Sequence, residues 1–419
     1  MERQYKNSGI PWMEQIPTDW DIIRGKNLLY LMNRPVREDD DVVTCFRDGE
    51  VILRSERRTE GFTMSDKEFG YQGINRGDIV IHGMDGFAGS MGVSKSTGKG
   101  SPVLIVCNPK TDDDARYIIY YLRSLAMNDV FIALSTGIRE RSCDLRWNKI
   151  SVLPFVRPSF SEQKRIADFI DEKCGDIDSL IGLQEKIIEK LKAYKISIIT
   201  EVVTKGLNPN VKLVSSDIEW IDEIPKDWKT IRIKNLLKER KERSESGLEE
   251  PLSMSQKHGL IPTKEMDVIP NMASSFVGAK IVYTSDLVFN KLKAHLGVFS
   301  VSKYYGLVSP DYAVYYSTGR ADLKYLEYLF KTPKCIGEFK KRSTGVGAGL
   351  TRLYTNDLYS ILIPFPSLSE QQSIASYLDD KCSEIDNLVA IKQQKIEKLK
   401  DYKKSIIYEA VTGKIIIES

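Results

Sequence analysis

The chain has 419 residues (47.7 kDa), 42% of them hydrophobic and 28% charged, with a net charge of +3. This excludes a wholly disordered, collagen-like or purely coiled-coil chain and leaves room for roughly two to four domains. No stretch approaches the ~18 apolar residues of a membrane span, and the opening MERQYKNSGIPW lacks an apolar signal core. A cytoplasmic protein with no membrane attachment is expected. The six cysteines contain no CxxC pair and no two of the three histidines are four residues apart, so neither a disulfide framework nor a His-rich or zinc centre is expected.

In chain order, residues 9–29 (GIPWMEQIPTDWDIIRGKNLL) place Trp12, Pro17 and Trp20 where a chain enters a domain, and these read as core anchors. Short β-like runs follow at Gly77-Asp-Ile-Val-Ile-His82 and Pro102-Val-Leu-Ile-Val-Cys107, then a helical pattern over 115–125. Pro158 precedes a long helix, with Ser161 as its expected N-cap and Glu162 in the first turn. A heptad runs from Ile177 through Leu180, Gln184, Ile187, Leu191, Tyr194 and Ile198, and Thr204-Lys-Gly206 reads as a stop. Beyond the linker Asn208-Pro-Asn210 the order returns. It comprises 217–237 (DIEWIDEIPKDWKTIRIKNLL), β-like runs at Lys280-Ile-Val-Tyr283 and Asp286-Leu-Val-Phe289, and a helical pattern over 321–331. Ser369-Glu-Gln-Gln372 then spells a capping box, the heptad Ile385, Leu388, Lys392, Lys395, Leu399, Tyr402, Ile406 follows, and Thr412-Gly413 reads as a stop.

The two passes are a tandem duplication at an offset of 208. Twelve of 21 positions agree between 9–29 and 217–237, 24 of 44 between 161–204 and 369–412, and nine of 27 between 77–103 and 285–311. Only two of 47 agree between 30–76 and 238–284. The expected class is α+β: two pseudo-repeated mixed α/β domains joined by two long helices that form an antiparallel coiled coil. The boundaries read as a first domain over 1–157, a helix over 158–207, a second domain over 208–366 and a second helix over 367–419.

Catalytic spellings are weak. Gly345-Val-Gly-Ala-Gly349 follows a polar run instead of a strand, and its counterpart Gly137-Ile-Arg-Glu-Arg141 lacks the later glycines. Ser309-Pro-Asp-Tyr312 is a near miss to the base-binding motif of amino-methyltransferases. Asp311, Asp322 and Lys324 nominally spell a PD-(D/E)xK nuclease, but Asp322 and Lys324 open a helical pattern and the first repeat does not spell it. No catalytic residue and no metal ligand is expected, and binding remains.

The candidate DNA-binding residues are clusters in the variable parts: Arg54, Arg57, Arg58, Ser94, Lys95, Thr97, Arg139 and Arg141, with Arg146 beside them, in the first half, and Lys291, Lys293, Lys303, Lys340, Lys341 and Arg342 in the second. Arginine forks suit guanine edges, and lysine and hydroxyl groups suit phosphates. Residues 30–153 carry 17 basic against 18 acidic groups and 238–363 carry 18 against 13, so only the second region is basic overall. A solvated surface is the bland alternative for any one cluster.

The repeated Trp-x₃-Ile-Pro-x-Asp-Trp segments (12–20, 220–228), the Ser-Glu-Gln-x₂-Ile-Ala elements (161–167, 369–375) and the helices ending Tyr-Lys-x-Ser-Ile-Ile (194–199, 402–407) resemble the specificity subunit of type I restriction–modification systems over nearly the whole chain. The resemblance implies two target-recognition domains, each reading one half of an asymmetric bipartite site in double-stranded DNA. It implies a coiled coil that sets the spacer and docks two modification (methyltransferase) subunits, with restriction subunits (translocase and nuclease) joining for cleavage. S-adenosylmethionine, ATP and Mg²⁺ would then belong to the partner subunits and no cofactor to this chain. Residues 177–204 span ~42 Å as a helix, about 12 base-pair steps, which leaves a gap of about five to eight base pairs between half-sites. Two rivals remain open: a tandem scaffold that binds only proteins, and a self-contained nuclease using Asp311, Asp322 and Lys324.

Overall fold

The computed structural model describes residues 3–57, 69–134, 145–256, 258–268, 275–345 and 351–417. It resolves into two compact units, Met1–Glu185 with Gln393–Ser419, and Lys186–Lys392. Each long helix, Phe160–Lys205 and Leu368–Val411, therefore contributes one half to each unit. This division differs in kind from one that separates helices from domains.

Each unit is built on the same antiparallel four-stranded sheet. In the first unit its order is Leu29–Leu31, Leu104–Pro109, Ile79–His82, Met91–Val93; in the second it is Leu237–Glu239, Tyr312–Ser317, Leu287–Asn290, Phe299–Val301. The expected runs at 77–82, 102–107 and 286–289 supply central strands, whereas Lys280–Val282 pairs with Gly306–Val308 in a separate ribbon and the central strand Tyr312–Ser317 is not among the expected runs. One face packs on the helix Ala115–Met127 or Leu323–Phe330, the other on a small hairpin, Val43–Cys45 with Val51–Leu53 or Leu252–Ser255 with Gly259–Pro262. A two-stranded ribbon, Asp21–Arg24 with Pro154–Arg157 or Lys229–Arg232 with Leu362–Phe365, carries the chain to the long helix.

The 30–76 and 238–284 segments, nearly unrelated at the fixed offset, fold alike. Part of the discrepancy is a shift in register. Arg34 and Arg240, two residues off the 208 frame, each place a guanidinium on a buried aspartate, Asp78 and Asp286. The hairpins that follow are displaced by one residue the other way.

The expected helix caps need correction. The chain turns at Ser159, whose carbonyl accepts from the Gln163 N–H at 2.9 Å and whose hydroxyl accepts from the Glu162 N–H at 3.4 Å. Ser367 does the same for Gln371 (2.9 Å) and Glu370 (3.3 Å), so the cap is Ser367, not Ser369, and Glu370 does not close a capping box. The freed glutamates reach outward instead: Trp20 Nε1 donates to Glu162 at 2.9 Å and Trp228 Nε1 to Glu370 at 3.1 Å. Both tryptophans are buried, and the Gly206 and Gly413 stops adopt φ of +81° and +73° against them, conformations that suit glycine.

Within each unit the long helices pair antiparallel. In the first, Ile166, Ala167 and Ile170 share a core with Ile407, Ala410 and Val411; in the second, Ile198, Val202 and Val203 share one with Ile374, Ala375 and Leu378. Lys403 grips both oxygens of Asp178 at 2.7 Å, and its counterpart Lys195 does the same to Asp386.

Half of the expected seam is one residue out of register. Ile177, Leu191, Ile198, Ile385, Leu399 and Ile406 face inward as expected. Leu180, Ile187, Tyr194, Leu388 and Tyr402 are exposed, and the inward positions are instead Ile181, Ile188, Lys195, Val389, Ile396 and Lys403. The helices also run 46 and 44 residues, longer than the 28-residue stretch from which the spacer was reckoned.

Candidate nucleic-acid and partner interfaces

In the first unit the structure gathers several candidates around the hairpin turn 46–50. Arg57 pairs with Asp48 (2.6 Å) and Glu50 (3.3 Å) and lies over the Phe46 ring; Lys95 reaches the other oxygen of Glu50 at 3.0 Å. The Arg57 bonds hold the Asp48 carboxyl below its usual range. Arg54 donates from Nε to Thr44 Oγ1 at 3.3 Å. Thr97 is exposed and accepts from the Arg76 N–H at 3.2 Å. Ser94 does not reach the surface: it is buried, its hydroxyl donates to the Ser96 carbonyl at 2.7 Å, and its counterpart Ser302 bonds Tyr304 identically. The recurrence of Ser-Lys in both halves therefore has a turn-forming cause. Arg58, Arg139 and Arg141 lie outside the described residues.

In the second unit Lys293, Lys303 and Lys340 are exposed. Lys341 pairs with Glu219, and Arg342 with Glu338 at 3.2 Å and the Ser360 hydroxyl at 3.1 Å. Lys291 sits half-buried at the end of the central strand Leu287–Asn290. Burial pushes its ammonium pKa down, the charges of Lys280 and Arg352 push the same way, and Glu239 and Asp311 oppose them. Lys280 is itself buried, bonded to the Tyr312 carbonyl at 2.7 Å and Glu239 at 3.2 Å. Its counterpart Gln72 makes the same bond to the carbonyl of Leu104. Arg352 and Lys280 were missing from the clusters read off the sequence, because each stands apart from other basic residues and only the fold brings it to Lys291.

The residues of the nuclease spelling have other partners. Asp322 caps its helix, accepting from the Tyr325 N–H at 2.8 Å; Lys324 pairs with Glu327; Asp311 pairs with Arg352 at 3.2 Å. The first repeat does keep the aspartate, as Asp114, and it caps the helix Ala115–Met127 in the same way. The recurrence is explained by capping. Gly345 lies in the short ribbon Thr344–Gly345 with Thr351–Arg352, and residues 346–349 of the glycine-rich loop lie outside the described residues.

Along the long helices, residues displaced from the seam and the neighbouring Leu183 and Ile391 form a second, outward apolar set. In the first unit it is Leu180, Leu183 and Tyr402; in the second it is Leu388, Ile391 and Tyr194, the same positions at the repeat offset. Exposure of 58% and 55% for the two tyrosines on otherwise charged helices marks these faces as unlike ordinary solvated surface.

A family model described as the type I restriction modification DNA specificity domain matches residues 278–401. The type I restriction enzyme MjaVIII specificity subunit of Methanocaldococcus jannaschii is 24% identical over 430 residues, with 97% of this chain and 95% of that protein covered. In sequence and fold this chain is similar to the type I specificity subunits. A chain solved in work on complex assembly and conformational transition of the type I R-M system superposes with a TM-score of 0.72 at 14% identity, covering 96% of this chain and 99% of that one. The HsdS subunit from Thermoanaerobacter tengcongensis gives a TM-score of 0.55 at 14% identity, covering 96% and 98%. This chain mixes helices and strands with two long helices. Among its described residues no helix is long and apolar enough to cross a membrane.

Proposed function

We propose that this chain is the non-catalytic DNA-reading subunit of a type I restriction–modification complex acting in the cytoplasm. Each recognition domain reads one half of an asymmetric bipartite site in double-stranded DNA, and the paired long helices set the gap. The outward apolar faces, one per unit, each dock a modification subunit, which uses S-adenosylmethionine to methylate an adenine at N6. Restriction subunits, driven by ATP and dependent on Mg²⁺, join to cleave unmodified DNA.

The observation that carries this reading is the pattern of what the duplication kept. The bonds that seat each domain on the helices recur at an offset of 208, while the hairpins and the residues around Lys95 and Lys291 differ. Two copies of one scaffold bearing two different surfaces suit two different half-sites, and a repeated docking face suits one partner bound twice. The net positive charge falls in the second domain, where Lys291, Lys293, Lys303, Lys340 and Arg352 are the strongest candidates for contacts to phosphates and base edges. In the first domain the Arg57–Glu50–Lys95 network would have to open, or to accept from base amino groups through its carboxylates.

The test is a methylome of cells carrying this gene with active partner genes, compared with cells lacking only this gene. Loss of N6-methyladenine from one bipartite motif with a fixed gap is expected. An unchanged methylome would replace the proposal with a protein-binding scaffold.

A further inference from the structure

In each unit one short helix of the recognition domain bonds to both long helices at once. In the second unit the fully buried Tyr325 donates its hydroxyl to the Val203 carbonyl at 3.1 Å, in the last turn of Phe160–Lys205. One turn on, Tyr328 donates to Asp379 at 2.6 Å, on Leu368–Val411, where Lys324 also points. The Asp322 N–H at the start of the same short helix donates to the buried Gln371 at 2.9 Å. The first unit repeats all of this. The Tyr117 hydroxyl lies between the Val156 carbonyl at 3.0 Å and the Val411 carbonyl at 3.3 Å, Tyr120 donates to Asp171, Arg116 reaches Asp171 at 2.7 Å, and the Asp114 N–H donates to Gln163 at 2.9 Å.

Apolar contacts between helices tolerate sliding because they have no direction, whereas a hydroxyl on a carbonyl or carboxylate does not. A slip of the helix pair by one residue, ~1.5 Å, would break Tyr325 on one helix or Tyr328 on the other. Domain pose and helix register are thus tied by the same side chains. We propose that Tyr120 and Tyr328, backed by Tyr117 and Tyr325, are positioning residues that lock each recognition domain to both long helices and so hold the gap between the half-sites at a single length. The proposal rests on the DNA-reading function above.

The test uses the assembled complex and the methylome. Tyr120→Phe with Tyr328→Phe keeps both rings in place and removes only the hydroxyls. Methylation is expected to spread to sites whose gap differs by one base pair, about 3.4 Å along the duplex, with the half-site letters unchanged. Asp171→Asn with Asp379→Asn still accepts the hydroxyls and should keep the single gap, whereas the corresponding Asp→Ala pair should behave like the Phe pair. Should methylation vanish altogether, binding of the assembled variant to duplexes with the gap lengthened or shortened by one pair decides: comparable binding supports the lock. A gap as strict as in the unaltered protein, or altered half-site letters, would overturn it. Absence of any gene-dependent motif in the unaltered strain would instead overturn the function itself.

Discussion

Glu327 shows how much of this molecule depends on placing charge correctly. It is buried, yet it accepts from Lys331 at 2.6 Å, from Ser300 at 3.2 Å and from the Val301 N–H at 3.3 Å. Burial alone would raise its pKa, but Lys331 and Lys324 and these bonds outweigh it and hold the carboxyl below its ordinary value of 4.5. A carboxyl depressed by folding stabilises the native state above its unfolded pKa, and that contribution disappears as pH falls through the folded one. Glu327→Gln should therefore be less stable at pH 7 and should lose less of its stability on acidification below about pH 4.5. Urea midpoints of the two proteins across that range test this. Equal slopes with pH would show that Glu327 contributes nothing to acid sensitivity.

For the long helices, the one-residue difference in seam register has a measurable consequence. Ile188, buried in the pairing, should cost about 2–4 kcal/mol when changed to Ala. Its exposed neighbour Ile187 should cost less than about 0.5 kcal/mol in the chain alone. Thermal unfolding of both variants decides between the two registers, and equal losses would restore the one expected from the sequence. The sequence misleads here for a physical reason. The seam takes Gln184, Lys195, Lys392 and Lys403 at inward positions, where the Lys403 and Lys195 ammonium groups reach Asp178 and Asp386, while the outward positions carry Leu and Tyr. Hydrophobicity alone then selects the wrong stripe. The runs at 77–82, 102–107 and 286–289 and the glycine stops were legible because they rest on local patterns, whereas the caps were read two residues late because Ser159 and Ser367 are each followed by a second serine. The Arg34–Asp78 and Arg240–Asp286 pairs were not, because a two-residue shift hides them from comparison at a fixed offset. Of the candidate interface, the basic clusters were visible, but not their acidic partners, which come from distant segments such as Glu219 for Lys341.

At the scale of the whole molecule the duplication permits a direct exchange. Residues 217–365 stand in the same relation to Leu368–Val411 as residues 9–157 do to Phe160–Lys205, with the ribbons Lys229–Arg232/Leu362–Phe365 and Asp21–Arg24/Pro154–Arg157 at the joints. A chain carrying 217–365 in place of 9–157 keeps the Trp–Glu and Tyr–Asp bonds and the bond from the Asp322 N–H to a helix glutamine, and loses only the Gln163–Asp113 side-chain bond among these, because Ala321 stands where Asp113 does. It should direct methylation to an inverted repeat of the second half-site, with the gap unchanged. A methylome retaining the original asymmetric motif would separate sequence reading from these domains.

The division of each long helix between the units also governs how the protein comes off the ribosome. Unit Lys186–Lys392 is continuous and can close as soon as its own residues emerge. The domain made first cannot. Tyr117 waits for the carbonyl of Val411, Tyr5 for that of Gly413, 408 residues away, and the first core for Ile407 and Ala410. A nascent chain therefore leaves Ile166, Ala167 and Ile170 without Ile407, Ala410 and Val411 until those residues emerge, an apolar surface that a holdase chaperone is expected to cover in the interval.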